Sequence, residues 1–339
     1  MAAAQNLQWA VIGTGGIAGD FVRALGHSAR CRVVNVVGSS REKGRAFAER
    51  WSLPRSSATL DDLLADREVD AVYVASPHPL HEAQALAAIA ARKAVLCEKP
   101  MTVDAAGTER LIAAARAQGV FLMEAFMYRC HPIVRELLGR LSDGVIGAVR
   151  HVRADFGFRV PRNPEGRLFN LALGGGGILD VGGYPVSFAR LIAGHVADAP
   201  FAEPERLAAA GHRGPTGADE IATAVLSFTS GLSATVTCGV LHDVGTSAVV
   251  FGEQGKIVLP NPWIPEGNRQ ALASRFFIHR DGRSAEEVTV ETALPTYGVE
   301  AELVADCLPR LEAPPPAMSW ADSLGNMRAL DRWRAELQR

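Results

Sequence analysis

The sequence predicts an α/β domain with a doubly wound parallel sheet, followed by an α+β domain with an open, mostly antiparallel sheet. Strand and helix patterns alternate over the first 130 residues, and a glycine cluster directly follows the first strand. From about Gly147 the pattern changes to strands separated by short turns. A chain of 339 residues is long enough for two domains, and we expect them at residues 1–130 and 131–339.

Each strand of the first domain is predicted from a short apolar run, which is typical of strands buried on both faces. The runs are Leu7–Ile12, Arg32–Gly38, Ala71–Ala75, Ala94–Cys97 and Val120–Met123. Helical spacing predicts helices over residues 17–25, 42–51, 61–65, 81–91 and 104–118. Strands that alternate with helices in this way indicate a parallel sheet covered on both faces.

The second domain is predicted from alternating apolar and polar residues, the pattern of half-buried antiparallel strands. The predicted strands cover residues 149–158, 221–228, 232–241, 248–251, 256–259, 276–279 and 287–290. Helices are expected near residues 184–192, 299–308 and 319–337, and the last of them is expected to pack back on the first domain.

Composition excludes several classes of function. The formal net charge is −2 and no long basic run is present, so we expect no binding to nucleic acid or to an anionic membrane. Five scattered cysteines favour a reduced, cytoplasmic protein. The residues from Met1 onward resemble no signal peptide, and no apolar run is long enough to span a membrane.

The glycine cluster fits the G-x-G-x-x-A fingerprint of a dinucleotide site. It lies between a predicted strand and a predicted helix, which is the context that gives the fingerprint its meaning. Gly13 would allow a tight turn, Gly15 would let the backbone approach a pyrophosphate, and Ala18 would allow close helix packing. The predicted cofactor-binding residues of this loop are Gly13, Thr14, Gly15, Gly16, Ile17 and Ala18.

The end of the second strand bears on the choice of cofactor. An NAD site usually has an acidic residue there, to bind the ribose 2′-hydroxyl. This chain instead has Ser39, Ser40 and Arg41, which suit a 2′-phosphate. We expect NADP and keep NAD as the less favoured alternative, in which Arg41 faces solvent.

Two further clusters contain candidate catalytic residues. Lys99 follows the fourth strand within Glu98-Lys99-Pro100, where ligands of open α/β sheets bind. In the second cluster, Asp180 and Tyr184 follow a glycine run, and a helix would place them on the same face. Lysine can lower the pKa of a tyrosine that exchanges a proton with a carbinol. Taken singly, Lys99 could be a surface residue, Asp180 a helix cap and Tyr184 a packing residue.

With these motifs in hand, nearly the whole chain resembles the glucose–fructose oxidoreductase/inositol dehydrogenase (Gfo/Idh/MocA-type) family. Within the family it is most similar to the branch of dimeric dihydrodiol dehydrogenase and NADP-dependent D-xylose 1-dehydrogenase. The resemblance rests on residues 13–18, 76–81, 94–100, 122–129 and 175–185.

The resemblance implies that Lys99 and Tyr184 form the catalytic pair and that Asp180 lies in the substrate site. It also implies that Ser76, Pro77, His78 and His81 lie near the cofactor, with His81 bonded to backbone as an equal alternative. Glu98 is expected either to contact the cofactor or to be structural. Many family members have His in place of Tyr184, and an aromatic residue often stands where this chain has Met127.

A further group of residues is expected near the substrate. The candidates are Met127, Arg129, Phe158 and Trp263. Aromatic residues at alternate strand positions are more often core than ligand contacts. We expect no metal site, because His78 and His81 are the only close histidine pair and no Cys or carboxylate neighbour completes a ligand set.

The sequence thus predicts reversible hydride transfer between NADP(H) and a sugar or polyol-like carbinol, as in a D-xylose or trans-dihydrodiol dehydrogenase. A ketosugar or anhydrosugar reductase that uses the same residues is the closest alternative. A non-catalytic NADP-binding sensor is the alternative from another class. We also expect a homodimer that forms through the open face of the C-terminal sheet.

Overall fold

The computed structural model describes residues 6–338. The first five residues, where no signal peptide is expected, and residue 339 lie outside that range. The chain divides into two compact units. Unit 1 contains the described residues up to Thr102, together with Ala106–Cys130 and Thr292–Ser323. Unit 2 contains Val103–Ala105, His131–Glu291 and the described residues from Leu324 onward. Unit 1 therefore takes in Thr292–Ser323, which the sequence analysis assigned to the second domain.

The strands and helices are numbered in chain order. The strands are β1 Leu7–Ile12, β2 Cys31–Val37, β3 Ala71–Val74, β4 Ala94–Glu98, β5 Leu122–Ala125, β6 Val149–Gly157, β7 Arg206–Arg213, β8 Asp219–Ser227, β9 Ser233–Gly239, β10 Thr246–Gly252, β11 Gly255–Leu259, β12 Ala273–Arg280 and β13 Glu286–Glu291. The α-helices are α1 Gly16–Leu25, α2 Arg41–Trp51, α3 Leu60–Leu64, α4 His78–Ala90, α5 Ala105–Gln118, α6 Met127–Cys130, α7 Pro132–Ser142, α8 Gly183–Val196, α9 Thr296–Cys307 and α10 Trp320–Glu336.

Unit 1 is built on a five-stranded parallel sheet, as the sequence predicts. Its strand order is β2-β1-β3-β4-β5, a doubly wound order in which the sequence of strands reverses between β1 and β3. Strands β3, β4 and β5 are buried along their whole length, which explains why their sequences are mostly apolar; the exceptions are the buried Glu98 of β4 and Glu124 of β5. Because all five strands are parallel, their carboxyl ends lie along one edge of the sheet, here called the carboxyl edge.

Unit 2 contains an eight-stranded sheet in the order β13-β12-β11-β10-β6-β9-β8-β7. Its pairs are antiparallel except for β6 and β9, which run parallel. Helix α8 packs on β6 and β9 and is buried over most of its length. Strand β8 shows the resulting alternation, since Ala222, Ala224 and Leu226 are buried while the intervening side chains are half-buried or exposed.

Two elements of unit 2 were not predicted from sequence. Strand β7 has hardly any buried side chain, and as the last strand of the sheet it pairs only with β8. Backbone pairing therefore defines it, and no apolar alternation marks it. Helix α7 begins with a proline at its first position and is capped by the side chain of His131, which accepts a hydrogen bond from the Ile133 amide.

Candidate active site

The glycine loop joins β1 to α1 at the carboxyl edge of unit 1. Gly13 has a φ of +115°, and a Cβ atom there would lie 2.6 Å from the carbonyl oxygen of Ala75. At Gly15 and Gly16 a Cβ atom would meet no described atom within 4 Å, so the space above the loop is open. No side chain caps α1 among the described residues. The loop therefore offers free helix N–H groups and close backbone access, which fits a pyrophosphate.

The end of β2 is polar and cationic. Ser40 caps α2 by accepting a hydrogen bond from the Lys43 amide, at 3.3 Å. The Lys43 ammonium donates to the Ser39 hydroxyl at 3.2 Å, and Arg41 is exposed in the first turn of the helix. Lys43 was not predicted from the sequence; its position three residues after a capping serine is the signal that could have identified it.

His81 faces into the protein at the start of α4. It is fully buried, and its ring nitrogens lie 2.7 Å from the Ser76 carbonyl oxygen and 2.9 Å from the Pro100 carbonyl oxygen. Burial lowers the pKa of His81, so the neutral ring donates to one of these carbonyls. Of the two alternatives, this geometry favours His81 as a residue bonded to backbone. His78 is also buried, whereas Pro77 is exposed.

Glu98 at the end of β4 also points inward. One carboxylate oxygen accepts a hydrogen bond from the hydroxyl of Tyr73, a fully buried side chain on β3. The other oxygen accepts a hydrogen bond from the Lys99 amide at 3.1 Å. Glu98 thus holds the backbone of Lys99, which is half-buried, and the Lys99–Pro100 peptide bond is cis.

Two residues that the sequence analysis assigned to the substrate site are buried within unit 1. Arg129 is fully buried, and its guanidinium pairs with Asp322 at 2.7 Å and donates to the Pro316 carbonyl oxygen. Met127 is also buried, in α6. These contacts favour a structural role for Arg129.

In unit 2, a π-helical turn over Ile178–Gly182 leads directly into α8. It contains Asp180, and α8 contains Tyr184 in its first turn; both are buried. The segment that contains Asp180 and Tyr184 is therefore helical, with a π-helical turn in front of α8. The Asp180 carboxylate accepts a hydrogen bond from Arg167 at 2.7 Å, and the Arg167 side chain is half exposed.

Tyr184 lies in an aromatic cluster of unit 2 formed by Phe156, Tyr184, Phe188 and Trp263. The Tyr184 ring centroid is 5.2 Å from that of Phe156 and 5.8 Å from that of Trp263. Trp263 is fully buried, and its indole N–H donates to the Asp155 carbonyl oxygen. The cluster gives the tyrosine an apolar wall, while Phe158 is half-buried at the end of β6.

The structure brings the predicted residues together in two sets. In unit 1, the glycine loop, Ser39–Arg41, the segment Ser76–His81 and Glu98–Lys99 follow β1, β2, β3 and β4 at the carboxyl edge. In unit 2, Asp180 and Tyr184 lie on one helical segment with Trp263 beside them. Within residues 6–338 no group of His, Cys, Asp and Glu could hold a metal ion, and no helix is long and apolar enough to cross a membrane.

Comparisons with known proteins agree with this arrangement. Residues 7–126 match the model of the GFO_IDH_MocA family, described as an oxidoreductase family with an NAD-binding Rossmann fold. Residues 134–258 match the GFO/IDH/MocA C-terminal domain. Trans-1,2-dihydrobenzene-1,2-diol dehydrogenase from Mus musculus is 36% identical over 76% of each chain. The enzyme of that name from Oryctolagus cuniculus is 33% identical over 92% of this chain and 93% of its own.

Solved structures show the same fold. KijD10, a 3-ketoreductase from Actinomadura kijaniata in complex with NADP and TDP-benzene, gives a TM-score of 0.84 at 27% identity, with 98% of each chain covered. Aldose-aldose oxidoreductase from Caulobacter crescentus gives a TM-score of 0.85 at 24% identity over 98% of each chain.

Proposed function

The chain belongs to the Gfo/Idh/MocA family of oxidoreductases, and from this premise we propose that it is an NADP(H)-dependent enzyme that interconverts the CH–OH group and the carbonyl of a sugar or polyol-like substrate. One observation carries the proposal. Lys99 follows β4 at the carboxyl edge, and the helix of unit 2 presents Asp180 and Tyr184 four residues apart beside an aromatic wall. A cation, a phenol and a carboxylate with an apolar wall are the groups that oxidation of a polar alcohol needs.

In the proposed mechanism the protein handles the proton. A dinucleotide whose pyrophosphate is held at the loop of Gly13, Gly15 and Gly16 would supply the hydride acceptor for oxidation and the hydride donor for reduction. Tyr184 takes the hydroxyl proton as the C–H bond breaks, and it returns that proton in the reverse direction. The Lys99 ammonium stabilises the tyrosinate and orients the reacting oxygen. Asp180, held by Arg167, accepts hydrogen bonds from neighbouring substrate hydroxyls.

NADP is proposed as the cofactor because of the polar groups after β2. The 2′-phosphate would be bound by the hydroxyl of Ser39, the cations Arg41 and Lys43, and the first N–H groups of α2. No carboxylate stands at this strand end to favour a free 2′-hydroxyl. The similar 3-ketoreductase in complex with NADP supports this choice.

A sugar or polyol is proposed as the substrate because the site combines polar and apolar surfaces. Asp180 and Arg167 supply hydrogen-bond partners, while the ring of Tyr184, backed by the buried Trp263, supplies an aromatic wall. The identity to dihydrodiol dehydrogenases favours oxidation of a vicinal diol. The likeness to a 3-ketoreductase over 98% of both chains favours reduction of a ketosugar as the second candidate.

We further propose a cytoplasmic homodimer that forms through the outer face of the unit 2 sheet. Its side chains on β8 and β9 are uncharged and half-buried or exposed: Ile221, Thr223, Val225, Thr235 and Thr237. Thr223 pairs with Thr237 across the strands, and Val225 pairs with Thr235. A second copy of the chain would bury this face. The five cysteines lie scattered along the chain with no close pair in the sequence, which suits a reducing compartment.

The test is absorbance of the reduced nicotinamide with NADP+ or NAD+ and a panel of aldoses, inositols and dihydrodiols, and in reverse with NADPH and ketosugars. We expect turnover with NADP(H) and one substrate class. Lys99→Met and Tyr184→Phe should abolish turnover while NADP+ affinity stays within about threefold of wild type, because the fingerprint loop is untouched. Wild-type turnover in either variant would exclude the mechanism. If the wild-type protein binds NADPH tightly but turns over no substrate, a non-catalytic NADP-binding sensor is favoured.

Cofactor choice is tested separately with Arg41→Ala and Lys43→Ala. Each removes one charge-assisted contact to the phosphate, worth about 1.5–3 kcal/mol, so affinity for NADP+ should fall roughly 10- to 100-fold. Affinity for NAD+ should stay unchanged, because NAD+ lacks the phosphate. Arg45→Ala, which removes an exposed cation one turn further along α2, is the matched control. Equal losses for both cofactors would refute a 2′-phosphate site.

A further inference from the structure

Asp219, the first residue of β8, bonds to the start of the helical segment that contains Asp180 and Tyr184. One of its carboxylate oxygens accepts a hydrogen bond from the Ile178 amide at 2.7 Å. The Gly177 amide also donates a hydrogen bond to this carboxylate. The bond joins residues 41 positions apart in the chain. It supplies a partner to N–H groups that the first turn of a helix would otherwise leave without one.

The glycine before this segment is required by the same carboxylate. A Cβ atom at Gly176 would lie 2.2 Å from the other oxygen of Asp219, and Gly176 has a φ of +121°. The glycine run therefore admits a carboxylate against the backbone at the point where the helix begins. Nothing in the sequence near Asp219 indicates this role, because Gly176 and Ile178 lie about 40 residues before it in the chain.

The ionisation of Asp219 is finely balanced. Desolvation raises its pKa to about 6, although the backbone amides and the cation Arg334 of α10 favour the charged form. The buried thiol of Cys238 on β9 lies near the same glycine run, and the charges of Asp219 and Asp180 both raise the pKa of this thiol in addition to burial. On β7, the residue that pairs with Asp219 is Arg213, whose side chain donates to the Gly217 carbonyl oxygen.

We infer that Asp219 is a positioning residue whose ionised carboxylate holds Ile178 and the following turn in place, so that Asp180 and Tyr184 stand correctly only when Asp219 is deprotonated. A protonated carboxyl accepts weaker hydrogen bonds than a carboxylate and loses the attraction to the helix N-terminus. Turnover therefore falls as the medium becomes acidic enough to protonate Asp219. This inference rests on the proposed function of Tyr184.

The first experiment is kcat against pH from 5 to 9 for wild type, Asp219→Asn and Glu220→Gln. Wild type should lose turnover below about pH 6, with half of the loss near the pKa of Asp219. Asp219→Asn should lower the plateau about tenfold and lose this acid limb, while NADP+ affinity stays unchanged. Glu220→Gln removes the neighbouring carboxylate, which pairs with Arg162 and does not bond to the helix, and it should keep the acid limb at the same pH.

An acid limb that stays at the same pH in Asp219→Asn would overturn the inference. If that variant does not fold, Asp219→Glu keeps a carboxylate with an added methylene and should move the acid limb while lowering kcat; an unmoved limb would again contradict the inference.

A second readout does not depend on activity. The Ile178 amide proton, observed by NMR in the NADP complex, should shift with a midpoint near pH 6 in wild type and remain unchanged in Asp219→Asn. A protein that shows this titration but turns over no substrate contradicts the proposed function and supports the contact. A flat Ile178 signal in an active enzyme contradicts the inference alone.

Discussion

Removal of one partner of the buried ion pair between Arg129 and Asp322 should destabilise unit 1 strongly. The exposed fractions of the two side chains are 0% and 2%, and the guanidinium also donates to the Pro316 carbonyl oxygen. Burial lowers the pKa of Arg129, while Asp322 and Tyr128 raise it and give a net increase. A guanidinium is basic enough to stay protonated even when Asp322 is removed, so the cation persists without its partner. Asp322→Ala therefore leaves a buried charge without its counter-ion, which costs about 3–5 kcal/mol of unfolding free energy.

The assay is thermal and urea unfolding followed by tryptophan fluorescence. A loss of that size corresponds to an apparent Tm lower by roughly 6–20 °C for a unit of this size. The control is the charge-free double variant Arg129→Met with Asp322→Leu, which replaces the pair by apolar groups and should recover most of the lost stability. Trp320 reports on unit 1, because its indole N–H donates to the Leu122 carbonyl oxygen.

The outcome that refutes this reasoning is a loss below about 1 kcal/mol in Asp322→Ala, the value of an exposed pair. The double variant also tests the role of Arg129. If Arg129 is structural, the double variant keeps the wild-type KM for substrate. A KM raised tenfold or more, with stability restored, would instead support the sequence-based assignment of Arg129 to the substrate site.

Three more predictions follow from single side chains. Burial raises the pKa of Glu300 well above its usual range, and a protein with such an acid loses stability as the pH increases through the raised pKa. The Tm of Glu300→Gln should therefore equal that of wild type near pH 5 and exceed it at pH 8–9. Parallel curves of Tm against pH for the two proteins would contradict this. Gly13→Ala should weaken NADP+ binding at least tenfold in a fluorescence titration, because its Cβ would meet the Ala75 carbonyl, whereas Gly119→Ala, with open space around it, should bind normally. Val225→Asp should convert the proposed dimer to a monomer, as measured by size-exclusion chromatography with light scattering. An unchanged mass would place the interface elsewhere. The control is Leu272→Asp, at a similarly exposed residue outside the strands, which should leave the mass unchanged.

The fold was predictable because the sequences of its buried strands are compatible with few other structures. Strand β3 is apolar along its length, and β4 is apolar up to Glu98 at its end, since helices cover both faces of a parallel sheet. Strand β7 shows the limit of this reasoning. Its sequence Arg206–Arg213 has no buried apolar stripe, and only hydrogen bonds to β8 make it a strand. Edge strands of this kind depend on a partner that the local sequence does not specify.

The candidate site was likewise predictable where its residues are close together in the sequence, and not where they are far apart. The glycine loop is local in sequence, so its turn, its helix start and its close packing can all be read from Gly13 to Ala18. Asp219 could not be assigned, because its partner Ile178 precedes it by 41 residues. Tyr73 was missed for the same reason, since its hydroxyl binds Glu98 on the neighbouring strand, 25 residues further along the chain.

Polar residues at the carboxyl edge divide into those that face inward and those that remain accessible, and sequence alone does not separate the two. His81 and Glu98 resemble ligand contacts in a motif, yet both side chains bond to the protein. They do so on either side of Lys99: Glu98 accepts from its amide, and a ring nitrogen of His81 lies 2.9 Å from the carbonyl oxygen of the following Pro100. The backbone that bears the lysine is thus anchored at both ends, while its side chain remains half exposed. In the proposed mechanism, a backbone fixed at both ends limits the positions from which the Lys99 side chain can reach the reacting oxygen.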